Sequence, residues 1–448
     1  MQQSTPVDRF LQDYAKSGTA RFHMPGHKGN VPFLGDLGAL DITEIDGADV
    51  LFHSEGILRR AEENAAALYQ TEATLFSAGG STLCIQAMLR MLQMQAPGKK
   101  CRIAAGRSAH QAFVNACALL NIDPVWIYPV FSQQHGFSAP VTPEQTKELL
   151  AREACDAVYI TSPDYMGQSA DLAGIAAVCR EYGIPLLVDN AHGSHLKFCS
   201  EDRHPMTFGA SLCCDSAHKT LPVLTGGSFL HIGGDFSAAE GKQAMALFGS
   251  TSPSYLILRS LELAVELLSR CGKDLFMQLE KKRAALFSLA RQKGFAPLPG
   301  DCTKLALDAS AAWMNGEDLA LYFRQRGLEP EYVSARHVLF LMTPWNTETD
   351  FSRLSQAIAA CPVGGQKSLS ADDLMPGFGW PETVCSPHEA LFSDVEEVLV
   401  EQAAGRVSAQ TCITCPPGIP IVVPGEKMTE NTQKLLKNSS FLSIKVLK

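Results

Sequence analysis

The sequence contains no run of about 18 consecutive apolar residues, so no membrane-spanning helix is expected. Its first residues, Met1 to Arg9, lack the apolar stretch of a signal peptide, and the expectation is a soluble, cytoplasmic protein. Basic runs are missing too. Lys and Arg total 38 against 47 Asp and Glu, a net charge of −9, which argues against nucleic acid as a partner. Charged residues make up only 19% of the chain and hydrophobic residues 46%, so the chain can build large cores and is not of the disordered type. No internal repeat or low-complexity segment occurs, and neither the dinucleotide fingerprint nor the Walker pattern is present. One Cys-x-x-C exists, Cys412 to Cys415, with no second pair at a spacing suited to zinc, so no metal is expected. The 14 cysteines are scattered, most of them inside apolar runs, as reduced thiols are in a cytosolic protein.

What is present is an alternation of short apolar runs with helical periodicity. The runs are Ala73–Phe76, Arg102–Ala105, Pro124–Tyr128, Ala157–Ile160, Ile184–Val188, Ala210–Cys214 and Ser228–Ile232. Helical patterns such as Ile57–Tyr69 and Gly174–Tyr182 fall between them, which predicts an α/β fold with a mostly parallel sheet. Ligands in such sheets bind beyond the carboxyl ends of the strands.

Several chemically useful residues fall at those ends. The run Ile184–Val188 delivers Asp189 and then Asn190-Ala-His192-Gly-Ser-His195, and Ala210–Cys214 delivers Asp215-Ser216-Ala-His218-Lys219. A lysine and an aspartate so placed suit pyridoxal phosphate: the amine forms a Schiff base with the aldehyde, and the carboxylate keeps the pyridine nitrogen protonated. An ordinary strand-end lysine and a helix-capping aspartate would leave the same trace, so the surroundings decide. Ala73–Phe76 runs into Ser77-Ala-Gly79-Gly80-Ser81-Thr82 and a helix, an arrangement of backbone N–H groups and helix dipole that cradles a lone phosphate. His110 follows the Arg102 strand, where an imidazole can stack on a flat cofactor.

At 448 residues, two or three domains are expected. Residues 1–20 read as one amphipathic helix. Ser250-Thr-Ser252-Pro-Ser-Tyr255 opens a helix to about Leu268, and a second runs from Lys273 to Lys293. From about Ala296 the pattern becomes α+β, residues 362–385 read as a linker, and a helix is predicted over Ser386–Ala404. The prolines of Pro416–Glu426 bound one short extended run.

The segments FHMPGHKGN (22–30), DITEIDG (41–47), SAGGST (77–82), LLVDNAHGSH (186–195), SAHKTLPVLTGG (216–227), TSPSY (251–255) and CPPGIPIVVPGE (415–426) together resemble the Orn/Lys/Arg decarboxylase family. The resemblance covers nearly the whole chain and implies the aspartate-aminotransferase fold in a short form without a receiver-like wing domain. It implies an arm over 1–45, a large cofactor domain over 46–290 and a small C-terminal α+β domain over 291–448. It implies pyridoxal 5'-phosphate as cofactor and α-decarboxylation of a basic amino acid, arginine first, then lysine or ornithine. Lys219 would carry the Schiff base, Asp189 would partner the pyridine nitrogen, and His110 would stack on the ring. Gly80, Ser81, Thr82, Ser216 and His218 would surround the phosphate, with His192 beside the ring. Ser252 would reach the phosphate of the neighbouring subunit in a homodimer with shared sites. Either Lys219 or His218 would return the proton to the α-carbon. The chain departs from the family pattern at Asn190, where a glutamate is usual, in Gly106–Ala112, which keeps only the stacking histidine, and at Cys415, usually a tyrosine. Another reaction of the same cofactor, or a weakly active paralogue that binds it, are the alternatives.

Overall fold

The computed structural model describes residues 5–132, 137–363, 380–413 and 420–448. Two compact units emerge, one formed by Met1–Pro97 with Pro185–Leu275, the other by Gly98–Ile184 with Phe276–Lys448.

In the first unit the strands Leu186–Asp189, Leu212–Asp215 and Ser228–Ile232 are buried along their whole length. Their near-continuous apolar sequences are what strands covered on both faces require. Leu186–Asp189 runs parallel to Leu212–Asp215, with Asp189 opposite Cys214. Ser228–Ile232 is antiparallel to Leu212–Asp215 and also to Ala73–Ser77. Helix Ile57–Tyr69 buries Leu58, Ala61, Ala65 and Tyr69, and helix Gly80–Gln95 buries Leu83, Cys84, Ala87, Met88 and Met91. That spacing of three and four residues marks the core-facing stripe of a helix. The first helix is shorter than its periodicity suggested, Pro6–Lys16. Pro6 starts it, and the Glu262 carboxylate accepts the N–H groups of Val7 and Asp8 at 2.9 and 2.7 Å.

The two helices expected on either side of Cys271-Gly272 are one, Tyr255–Gln292. Glycine weakens a helix but does not end it when packing is gained. A Cβ on Gly272 would lie 2.9 Å from the Phe198 ring, so the glycine serves a close contact there rather than a break.

In the second unit the strands Ala157–Thr161, Arg102–Gly106 and Asp123–Ile127 lie side by side, all parallel. The α+β region begins where the sequence indicated: Lys304–Asp308 and His337–Leu341 pair antiparallel, with helices Gly316–Arg324 and Glu348–Ala360 following in the pattern. The helix predicted over Ser386–Ala404 is a correction. Only Pro387–Phe392 is α-helical, Val395–Leu399 is a strand antiparallel to Ser443–Leu447, and Val400–Gln402 is a single 3-10 turn. Glu and Leu favour helix locally, but pairing with a distant strand overrides that preference. Most of the 362–385 linker and Cys415 lie outside the described residues. The fold class is as expected, α/β with a mostly parallel sheet and small antiparallel sheets in the C-terminal region. Among the described residues no helix is long and apolar enough to cross a membrane.

Candidate active site

Lys219 sits on a four-residue helix, Ala217–Thr220, straight after the strand Leu212–Asp215. The Thr225-Gly226-Gly227 turn folds back over it. The Gly227 carbonyl accepts from the His218 backbone N–H at 3.2 Å and from His218 Nδ1–H at 2.9 Å. A Cβ on Gly227 would fall 2.3 Å from Val223 Cγ1, so only glycine permits this approach. Burial pushes the His218 imidazole below its ordinary pKa; the Gly227 hydrogen bond opposes this and the Lys219 charge adds to it. Lys219 Nζ lies 3.0 Å from His192 Nε2.

Asp189, 1% exposed, ends the neighbouring parallel strand. Its Oδ1 accepts from the Ala191 N–H at 3.1 Å and the Cys214 thiol at 3.6 Å. These two donors help to fix the orientation of the side chain.

The phosphate-type cradle forms as the glycines imply. Gly79 is the N-cap of helix Gly80–Gln95 and no side chain caps it, so its first turn keeps the donors an anion needs. Gly80, at φ +70°, gives its own N–H to Gly226 O at 2.8 Å, which ties the cradle to the turn over Lys219. Ser216 Oγ donates to Ser81 Oγ at 2.8 Å, bringing two of the expected phosphate residues together. Thr82 and Ser252 line one cavity of about 220 Å³ within the same chain. This donor set, a buried carboxylate and a lysine amine beside an imidazole fit pyridoxal phosphate.

Sequence reasoning did not find what lies beneath. Asn190 Nδ2 donates to Asp215 Oδ1 at 2.6 Å, and His204 Nε2 and His231 Nε2 each lie 3.2 Å from Asp215 Oδ2. All four residues are 0% exposed. Met206 N–H points at His204 Nδ1 and Thr74 Oγ1 sits 2.9 Å from His231 Nδ1, so each ring presents an Nε2–H to Asp215. Burial works against ionisation of Asp215, but the electrostatics and hydrogen bonds of the two histidines outweigh it and hold the carboxyl well below the usual range. The three ligand-type atoms lie within 4.8 Å of one another, yet both ring N–H groups already serve the carboxylate, so hydrogen bonding rather than metal ligation accounts for the cluster.

His110 belongs to the second unit. It is the N-cap of helix Gln111–Leu120, with Nδ1 accepting from Ala112 N–H at 3.2 Å. Arg107, three residues earlier, is fully buried. Its Nε and Nη2 donate to the two Glu426 oxygens at 2.9 and 2.8 Å, and its Nη1 to Pro420 O at 3.0 Å.

A half-buried lysine and a buried strand-end aspartate, with an anion cradle tied to the lysine turn, define a pyridoxal-phosphate enzyme of the aspartate-aminotransferase fold. Solved structures agree on the fold. A Francisella novicida lysine decarboxylase covers 100% of this chain and 81% of its own at 18% identity and TM-score 0.83. One from Pseudomonas aeruginosa gives 99%, 80%, 18% and 0.83. The Orn/Lys/Arg decarboxylase major domain matches residues 5–301 and that family's C-terminal domain matches 376–444. The chain belongs to the Orn/Lys/Arg decarboxylase family, and it is a pyridoxal-phosphate-dependent decarboxylase of basic amino acids. An arginine decarboxylase of Bacillus cereus is 30% identical over 95% of this chain and 97% of its own. The Bacillus subtilis arginine decarboxylase is 28% identical over 98% and 94%.

Proposed function

We propose that the substrate is arginine, with lysine and ornithine next, and that the product is a polyamine precursor made by a cytoplasmic homodimer. The arginine decarboxylases above, matched along nearly their whole length, support the choice. Pyridoxal phosphate, when bound, supplies an aldehyde that takes up an amine and a ring that accepts the electron pair left behind by CO2.

The chain's residues have distinct tasks. The first turn of helix Gly80–Gln95, with Ser81, Thr82, Ser216 and His218, holds the phosphate, and Gly80 keeps that turn fastened to Gly226. Asp189 holds a proton on the ring nitrogen, a role suited to a buried carboxylate. His110 would stack on the ring, His192 would lie beside it, and Ser252 would complete the phosphate site of the other subunit. Lys219 would hold the cofactor aldehyde until the substrate amine takes its place, and His192, 3.0 Å away, would receive its Nζ. Lys219 or His218 then protonates the α-carbon; the lowered basicity of His218 leaves it short of protons at neutral pH and favours Lys219. The arm over 1–45, the cofactor domain over 46–290 and the C-terminal domain over 291–448 are the functional division that goes with these roles.

The observation that carries the reading is Lys219 Nζ 3.0 Å from His192 Nε2, at the end of a strand paired with the one that ends in Asp189. The test is to purify the protein, record the visible absorption of bound cofactor, and measure CO2 and product from arginine, lysine and ornithine. CO2 with the corresponding amine from arginine is expected. A keto acid instead would indicate transamination, and bound cofactor without turnover would indicate a weakly active paralogue.

A further inference from the structure

The Asn190–Asp215 contact joins two neighbouring strand ends, the one that bears Asp189 and the one that leads into Lys219. The contact is a hydrogen bond between an amide and a carboxylate, 2.6 Å long and out of reach of solvent. We propose that Asn190 and Asp215 form a charged positioning pair: one buried negative charge, shared across these strand ends, that fixes Asp189 in register and adds to the field in which Asp189 works. This inference rests on the cofactor reading given above.

Three features support it. First, Asp215 stands where four side-chain donors converge, none of them a lysine or an arginine: the Asn190 amide, two imidazole N–H groups and, at 3.7 Å, the Cys213 thiol. Second, Asn190 follows Asp189 directly, and its N–H is bonded to Cys214 O at 2.9 Å. Side chain and backbone of Asn190 therefore both grip the Leu212–Asp215 strand, leaving Asp189 little freedom. Third, the amide at 190 is what allows the acid at 215. A carboxylate in place of Asn190 would face Asp215 at 2.6 Å, and two like charges so close cannot both persist in the interior. The departure at residue 190 is thus matched by an acid already supplied from the next strand.

The histidines make a discriminating variant available. In Asp215→Asn, the new amide can offer its oxygen to the two imidazole N–H groups and its NH2 to Asn190, provided the Asn190 amide turns over. The contacts around residue 215 are then kept while its charge is lost, and the Asn190 NH2 takes the buried place its Oδ1 held without a partner. In the exchanged variant, Asn190→Asp with Asp215→Asn, the pair again holds one carboxylate and one amide.

The experiment compares wild type, Asp215→Asn, Asn190→Asp and the exchanged double variant. Each is assayed for thermal unfolding without cofactor, for Kd of pyridoxal phosphate by titrating the apoprotein, and for the absorption spectrum, kcat and KM of the loaded enzyme. Asp215→Asn is expected to unfold within a few degrees of wild type while its cofactor Kd and kcat worsen by roughly tenfold, a factor worth about 1.4 kcal/mol. KM for the amino acid should hardly move. The exchanged variant should recover cofactor affinity and kcat to within about threefold, or roughly 0.65 kcal/mol. Asn190→Asp should lose both stability and affinity. If Asp215→Asn matches wild type in Kd, spectrum and kcat, or if a folded exchanged variant does no better than Asp215→Asn, the inference is overturned. If Asp215→Asn merely lowers the unfolding temperature, the pair is structural and the inference again fails. Wild type that binds no cofactor would overturn the functional reading itself, a result distinct from all of these.

Discussion

Removing the Arg107 side chain should reveal how much of the C-terminal region hangs on one ion pair. Arg107 and Glu426 have no solvent-exposed side-chain surface, so screening by water or salt does not dilute the interaction. Truncation to alanine deletes three hydrogen bonds at once, two to the Glu426 carboxylate and one to Pro420 O. It also removes the guanidinium from the faces of Trp126 and Trp380, whose ring centres lie 5.4 and 5.7 Å away. Glu426 keeps the backbone N–H of Val423 at 2.9 Å, too little to sustain a buried charge. Breaking such a pair costs about 3–5 kcal/mol, a large part of the 5–15 kcal/mol that stabilises a typical domain. Denaturant unfolding of Arg107→Ala should show that loss. Arg107→Lys should recover part of it, since an ammonium cannot engage both Glu426 oxygens and Pro420 O in the same fork. Arg107→Met with Glu426→Leu should recover most of it, because neither charge is then left alone in the interior. A loss below about 1 kcal/mol in Arg107→Ala would refute this account of the pair.

Asp189→Asn should leave cofactor bound but cut turnover by several orders of magnitude; a loss under about tenfold, roughly 1.4 kcal/mol of transition-state stabilisation, would remove Asp189 from its role. Burial pushes Asp164 up to about 6, against the opposing hydrogen bonds from Gln168. Between the ordinary carboxylate value near 3.9 and about 6, the folded chain holds a proton that the unfolded chain has released, so stability falls as pH rises through that window. The fall is worth up to about 3 kcal/mol, and unfolding curves of Asp164→Asn from acid to neutral pH should lack it. If the proposed dimer with shared sites holds, Lys219→Ala and a bulky Ser252 variant, each nearly inactive, should regain about a quarter of wild-type activity when refolded as an equal mixture, since half the dimers would be hybrids with one intact site. Hybrid dimers without activity would place Ser252 outside any shared site.

Much of this was legible in the sequence because the sheet is buried on both faces: unbroken runs such as Leu186-Leu-Val188 announce their own ends, and ligand chemistry gathers there. The anion cradle was legible from Gly79-Gly80-Ser81-Thr82 for the same reason, as its function resides in backbone and small residues. What could not be read is contact between distant residues. Glu426 lies 319 residues from Arg107, and no local pattern announces that they pair. His231, alone in a fully buried strand, was a usable signal, because a buried imidazole requires a partner; the identity of that partner was not encoded nearby. Val395–Leu399 was misread as helix since its strand partner, Ser443–Leu447, comes more than forty residues later.

The thiols give the chain an internal clock. Burial pushes Cys84 and Cys179 up to about 12 and Cys361 up to about 11, so their reactive thiolate forms hardly exist at neutral pH. An alkylating reagent can reach such groups only when the surrounding structure opens, and its rate then measures the opening rather than the chemistry. Cys155, Cys271 and Cys385 are the partly exposed thiols among the described residues. Among the described cysteines, labelling should therefore divide into a prompt phase at those three and slow phases at the buried ones. Cys84 is buried on helix Gly80–Gln95, so its labelling time reports how often that helix comes away from its packing.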